Sequence, residues 1–374
     1  MRKVPVIVTV LGLAVAGCGF STVDRNSSVS ISGRALDESG KPLGNTRILL
    51  VKQADIGEVI FGSVLTVGTL STICFAPDPP AICQRARTAT TDSDGRYHFE
   101  VKGSDTQGSL GTEATMNVVF SGRSAGPSTT VSFVAEHDSV VVPDARLWDL
   151  AARAASGAGG IALSWRPLPA SAGSRTSYSA QLYDARSGAV LWSQPATGRR
   201  TAIDPRLLED RPGATAVSAS TELPGGDGAG KVRASFLSER LPVRASAGAP
   251  PSRGRRCAVV TGPAPDTGPF RTPCGETDGD LSRPARMVPV AGSVATGVVV
   301  DLGRVRPVDL VVARGFSGQF LVETSVDGKA FSTVATGFGQ AYAVQPGGHP
   351  AARYVRLRSP AGLDESLSSE ISVW

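Results

Sequence analysis

The chain has 374 residues, 43 of them Gly and 26 Pro, so about 18% of positions break helices and strands, against roughly 12% in ordinary proteins. Long helices are excluded as the main building material, and with 41% hydrophobic and 19% charged residues a disordered polar chain is excluded too. Net charge is only +5, and three histidines leave little for metalloenzyme or Ser-His-Asp chemistry, so the length predicts two or three β-rich, non-catalytic domains.

Met1 is followed by Arg2-Lys3 and an apolar run from Val4 to Ala16. That run is well short of the roughly 20 residues that span a bilayer, so residues 1–17 read as a signal peptide. Val15-Ala16-Gly17-Cys18 resembles the bacterial lipobox. The resemblance implies cleavage before Cys18 and lipidation of its thiol, and two or three acyl chains anchor stably at about 0.8 kcal/mol per buried CH₂. The expected protein is exported, a membrane-anchored lipoprotein on the cell surface or facing the periplasm, whose contact with the lipid bilayer is the acylated Cys18. Residues 18–28 are small and polar and read as a stalk. Without residues 1–17 the chain carries 36 basic and 33 acidic residues, which argues against a nucleic-acid partner.

If Cys18 carries lipid, Cys74, Cys83, Cys257 and Cys274 remain, and an exported chain is expected to pair them. Four cysteines allow three connectivities; 74–83 with 257–274 keeps each bridge inside one expected unit, and each closes a loop worth about 3 kcal/mol. A cysteine metal site lacks C-x₂-C spacing.

Residues 29–145 alternate with period two at Val29/Ile31, Ile48/Leu50, Tyr97/Phe99/Val101 and Met116/Val118/Phe120, the mark of half-buried strands. G-R-A-L-D-E-S-G-K-P-L-G-N-T (33–46) and T-D-S-D-G-R-Y-H-F (91–99) resemble the carboxypeptidase regulatory-like, transthyretin-like β-sandwich. Asp92-Ser93-Asp94-Gly95 lacks the rest of an EF-hand loop and reads as a tight turn, with His98 facing solvent.

Residues 146–244 continue the all-β pattern. Ile161-Ala162-Leu163-Ser164-Trp165 reads as a strand ending in a core tryptophan, and 178–183 and 189–192 flank a turn. This segment resembles a fibronectin type III-like sandwich. Gly225 to Lys231 satisfies G-x-x-x-x-G-K, yet Val232 stands where a phosphate loop needs Ser or Thr, so a flexible hairpin tip is expected. Residues 245–256 have the composition of a solvated, protease-sensitive linker, whose Arg253, Arg255 and Arg256 are available to anionic polymers.

In residues 257–374, T-D-G-D (277–280), V-V-D-L-G-R-V (299–305), V-E-T-S-V-D-G-K-A-F (322–331), A-R-Y-V-R-L (352–357) and S-E-I-S-V-W (369–374) occur in order. They resemble the discoidin, or coagulation factor 5/8 type C, domain, a galactose-binding-like jelly roll. The fold class expected for the whole chain is therefore all-β: tandem β-sandwiches ending in a galactose-binding-like jelly roll. The resemblance implies a structural calcium held by Asp278 or Asp280 with Glu370, the alternative being that these acids cap turns. It also implies sugar contacts from loop residues, here Arg314, Phe316, Phe338, Tyr342 and His349, the alternative being loop packing. The expected function is lipid-anchored, non-catalytic binding of a glycan or envelope component. An assembly role on a protein partner of the envelope is the alternative. An enzyme is not expected: H-E-x-x-H is absent and His98, His137 and His349 fall in different segments.

Overall fold

The computed structural model describes residues 21–52, 87–108, 111–122, 126–157, 160–169, 175–186, 188, 190–244, 247–261, 266–280, 295–314, 319–338, 341–359 and 370–374. The signal peptide, Cys18, and Cys74 with Cys83 lie outside them. The fold is all-β, built of antiparallel sheets packed as sandwiches, with no closed barrel and no helix of seven or more residues among the described residues. None of their helices is long and apolar enough to cross a membrane.

The first region carries β1 (Ser28–Leu36), β2 (Arg47–Lys52), β3 (Arg87–Thr90), β4 (Arg96–Lys102), β5 (Thr115–Ser121), β6 (Ser128–Ala135), β7 (Ser139–Val141) and β8 (Ala145–Arg146). In β4 the period of two is literal: Tyr97, Phe99 and Val101 are buried while His98 and Glu100 face solvent. The turn before it is an Asx turn, in which Asp92 Oδ1 accepts from the amides of Asp94 (2.9 Å) and Arg96 (2.8 Å). β1 pairs antiparallel with β4 and parallel with β7, and this small sheet closes over β2, β5 and β6 around Ile31, Phe99, Ile48, Phe120 and Phe133.

The second region adds β9 (Arg153–Gly157), β10 (Gly160–Ser164), β11 (Thr176–Asp184), β12 (Val190–Ala196), β13 (Arg200–Ile203), β14 (Gly213–Glu222), β15 (Ala229–Leu237) and β16 (Leu241–Val243). The sheet β13-β10-β9 packs on β11, β12 and β14 over Leu163, Trp165, Leu182, Trp192 and Val217, so Trp165 is the expected core tryptophan. The two regions share a sheet across the expected 145/146 boundary. β15 pairs with β6 from Ala229↔Ala135 to Leu237↔Ser128, giving one nine-stranded sheet with the path β12-β11-β14-β15-β6-β5-β2-β3 and β16 paired to β14 off that path. The 225–231 tip is pinned to the first region and is not free: Gly228 O accepts from Glu136 N (2.9 Å) and Asp227 O from Val141 N (2.8 Å).

The last region holds β17 (Cys257–Thr261), β18 (Asp266–Thr267), β19 (Ala295–Pro307), β20 (Val311–Arg314), β21 (Gln319–Ser325), β22 (Ser332–Phe338), β23 (Ala341–Val344), β24 (Ala351–Arg358) and β25 (Ile371–Val373). The six-stranded sheet β18-β17-β19-β24-β21-β22 faces β23-β20-β25 across Val298, Val300, Phe320, Val355, Leu357 and Ile371. Cys257 and Cys274 are bonded, with Cα atoms 5.6 Å apart.

The expected solvated linker is corrected by the structure. Ser252 is fully buried; its hydroxyl donates to Ile371 O (3.3 Å) and accepts from Val373 N (2.9 Å). Gly254 N donates to Thr277 O (2.7 Å), and Arg253 is paired with Glu209 and Asp210. A Pro/Gly-rich composition is compatible with a connector that is bonded along its length.

Candidate functional site

The expected calcium ligands sit on the turn that follows the disulfide. A short 3-10 segment, Gly275–Thr277, leads into it, and the Thr277 hydroxyl donates to Arg255 O (2.7 Å). Asp278 Oδ1 accepts from Asp280 N (2.7 Å), a turn-capping role. Glu370 arrives from the other end of the chain, and its Oε2 accepts from Gly279 N (3.1 Å). The sequence thus pairs the right segments. The donor set, however, does not fit calcium, which takes six to eight oxygens. The Gly279 carbonyl accepts from Arg211 Nη2 (2.6 Å), and a Cβ on Gly279 would lie 3.0 Å from Arg253 Nε. Guanidinium groups crowd the position a cation would need. Among the described residues, carboxylate oxygens of Asp278, Asp280 and Glu370 do not gather within 4.8 Å of one another; the grouping that does is Cys257, Cys274 and Glu276, whose sulfurs are bonded to each other and whose carboxylate pairs with Arg271.

Glu370 is 4% exposed, with no partner on its Oε1 among the described residues. Burial, reinforced by the charge of Glu209 and opposed by Arg314, pushes its carboxyl up to about 8.

Arg314, expected in a sugar-binding loop, instead ends β20 in the interior. Its Nε donates to Leu191 O (3.0 Å), Nη1 to Glu209 Oε1 (3.1 Å) and Ser372 Oγ (3.0 Å), and Nη2 to Leu207 O (3.1 Å). Ser372 Oγ in turn donates to Glu209 Oε1 (2.6 Å). Burial acts to raise the Glu209 carboxyl, but Arg314, the Ser372 hydroxyl, Arg211 and Arg253 hold it below its ordinary value. This cluster joins the second sandwich to the third. Leu310, just before β20, and Val312 within it lie in the core of the second sandwich, and Trp374 packs against it. The sequence offered no signal for Glu209, because its buried partners Arg314 and Ser372 stand 105 and 163 residues away.

Phe316 lies outside the described residues. Phe338 and Tyr342 fall on strands, opposite Gln319 and Ala313, and not in loops. His349 is exposed on a turn with its Nδ1 2.7 Å from Asp309 Oδ1. The described contacts of Arg314 and His349 therefore do not converge on one site.

A different grouping occupies the outer face of the six-stranded sheet. Asp301 on β19 is 2% exposed and accepts from Arg256 (Nη2, 2.7 Å), Arg353 (Nε, 3.0 Å) and Gly303 N (2.8 Å). Burial works to raise its carboxyl, but bonds from Arg353, the Gly303 amide and Arg256 hold it at about 2. Arg256 lies 5.0 Å from the Phe270 ring centroid and Arg353 5.0 Å from that of Tyr354; the two rings are 5.9 Å apart. Both arginines and both rings are partly exposed. The motif V-V-D-L-G-R-V marked the segment but not this partnership.

One catalytic pattern was missed in the sequence. Gly122-Arg123-Ser124-Ala125-Gly126 satisfies G-x-S-x-G, the spacing of a nucleophile elbow. An elbow joins a strand to a helix, whereas the described strands on either side, β5 and β6, are antiparallel neighbours. Residues 123–125 lie outside the described residues.

No family model matches the chain, and no curated protein matches it. Among solved structures it is similar to the crystal structure of SpGH29 (15% identity, 33% of this chain and 27% of that one, TM-score 0.24) and to a glycoside hydrolase (10%, 77% and 65%, 0.27). It is also similar to an allantoicase (11%, 69% and 80%, 0.21). The chain spans less than two thirds of the length of the first two, and at these TM-scores none carries an argument about activity.

Proposed function

We propose that the protein is an exported, lipid-anchored binding protein without catalytic activity, whose carboxy-terminal galactose-binding-like sandwich engages a carbohydrate or another envelope component. The observation that carries the reading is the platform around Asp301. Two partly exposed arginines and two partly exposed aromatic rings are held in register by one buried carboxylate. Aromatic faces offer apolar area to a sugar ring, and guanidinium forks offer directed donors to its oxygens. The anchor is Cys18, and the buried junction through Arg314 would hold the platform stiffly at the far end of the chain.

The test uses the whole chain with Cys18→Ser, because a fragment from residue 257 would expose Leu310 and Val312. Binding on a glycan array that falls with Tyr354→Ala supports the reading. No sugar bound, with an envelope protein recovered in a pull-down, supports the assembly role instead. Labelling with radioactive palmitate that persists in Cys18→Ser would remove the anchor.

A further inference from the structure

β19 contains an unusual break. Asp301 pairs with Tyr354 and Arg306 with Ala352, so four residues, 302–305, stand opposite the single residue Arg353. Such a bulge bends the strand and re-aims its side chains. Gly303 has φ +82°, a conformation other residues rarely adopt, and the site that a Cβ would fill lies 2.9 Å from Arg255 Nη1. Leu302 turns into the core, while Arg304 and Val305 are exposed and Arg306 is partly so.

The bulge therefore places Arg304 and Arg306 beside Arg255, and next to the Arg256–Asp301–Arg353 group. Five arginines meet one aspartate, and that aspartate is already matched by Arg256 and Arg353. Among the described residues no carboxylate pairs with Arg255, Arg304 or Arg306. Burial first, then the like charges of Arg304 and Arg255, pull the Arg306 guanidinium below its ordinary value, a sign that cations crowd here without counter-charge.

The geometry points to the 303–306 bulge, with Arg255 and Arg353, as the docking surface for a polyanionic polysaccharide, one that carries a carboxylate on its repeating sugar. This rests on the carbohydrate-binding reading above and adds to it the charge class of the ligand. Arginine forks match carboxylates two bonds at a time, and Phe270 and Tyr354 adjoin the row where a sugar face can lie. A lipid surface is a poorer fit, since Val305 is the one exposed apolar side chain of the bulge and offers little to insert. Nucleic acid, the other polyanion, is an outcome of the test below.

The test measures binding of the Cys18→Ser chain to polygalacturonate, neutral galactan, duplex DNA and vesicles of phosphatidylglycerol in phosphatidylcholine. Polygalacturonate is expected to bind at low salt and to weaken steeply towards about 0.3 M salt. The double variant R304E/R306E is expected to lose about tenfold or more in affinity with its circular dichroism unchanged, since the Arg304 side chain is exposed and the Arg306 side chain partly so. If that variant misfolds, Arg304→Gln alone is expected to reduce the salt dependence, and Val305→Ala to change nothing. Equal polygalacturonate binding by parent and arginine variants overturns the assignment, as does binding to DNA or vesicles alone. Binding of neutral galactan without polygalacturonate overturns the charge class and leaves the carbohydrate reading standing; binding of no glycan removes both.

Discussion

Glu209 gathers three arginines, 211, 253 and 314, while burial pushes the Glu370 carboxyl beside it up to about 8. Removing one partner of a buried pair leaves an uncompensated charge, so Glu209→Ala is expected to cost about 3 kcal/mol or more in urea unfolding. Arg211→Ala, which leaves Glu209 two cations, should cost only about 1 kcal/mol; equal losses would refute the ranking. Glu370 gives a signed pH effect. Unfolded, the carboxyl ionises near its ordinary value of 4.5; folded, burial pushes it up to about 8. The folded state binds more protons in that window, so stability falls as pH rises from about 4.5 to 8. Glu370→Gln is expected to flatten that fall and to raise Tm at pH 8, because an amide can accept from Gly279 N without ionising; an unchanged Tm profile would sink the assignment. Asp301 acts in the opposite direction. Its carboxyl sits at about 2, so its contribution is present above the ordinary value of 3.8 and is lost as pH falls towards 2.

Elements differ in how plainly the sequence announces them. β4 was legible because Arg96–Lys102 alternates cleanly, and the strands carrying Val298/Val300, Phe320/Val322 and Val355/Leu357 were legible for the same reason. β6 was not. Ser128–Ala135 is buried at every position despite four Ser and Thr residues, because both its edges are paired and Ser132 Oγ donates to Asn117 Oδ1 (2.7 Å). Composition cannot reveal a polar strand buried between two partners that lie on either side of it in a shared sheet. The 277–280 turn was half legible: the turn and Glu370 do come together through Gly279 N, but no local pattern tells that Arg211 would reach the Gly279 carbonyl from 68 residues away. For that reason EDTA is expected to leave Tm unchanged while Arg211→Ala lowers it. A chelator-dependent drop of several degrees would show that a divalent ion, and not the guanidinium, holds the turn.

At the scale of the whole molecule the three sandwiches are coupled. β6 and β15 make one sheet of the first two, and the core around Trp165 and Trp192 takes in Leu310 and Val312 from the third. A proline in a central strand removes a ladder bond, so Thr130→Pro in β6 is expected to unfold the first and second sandwiches together and not the first alone. Circular dichroism should then lose both in one step, and survival of an intact second sandwich would argue against the shared sheet. The segment before Cys257 gives a second reading of the same coupling. Trypsin cleaves after arginine and needs the surrounding backbone to leave its bonds. Here Arg253 N is bonded to Pro250 O, Gly254 N to Thr277 O and Asp301 N to Arg256 O, and Ser252 ties the stretch to β25. Local opening would have to break these together with the Arg253–Glu209 pair, so the bonds after Arg253, Arg255 and Arg256 should be cut only at the rate of global unfolding. Rapid native-state cleavage within 247–256 would mean that the third sandwich is tethered and not fused, and that the Glu209–Arg314 junction opens on its own.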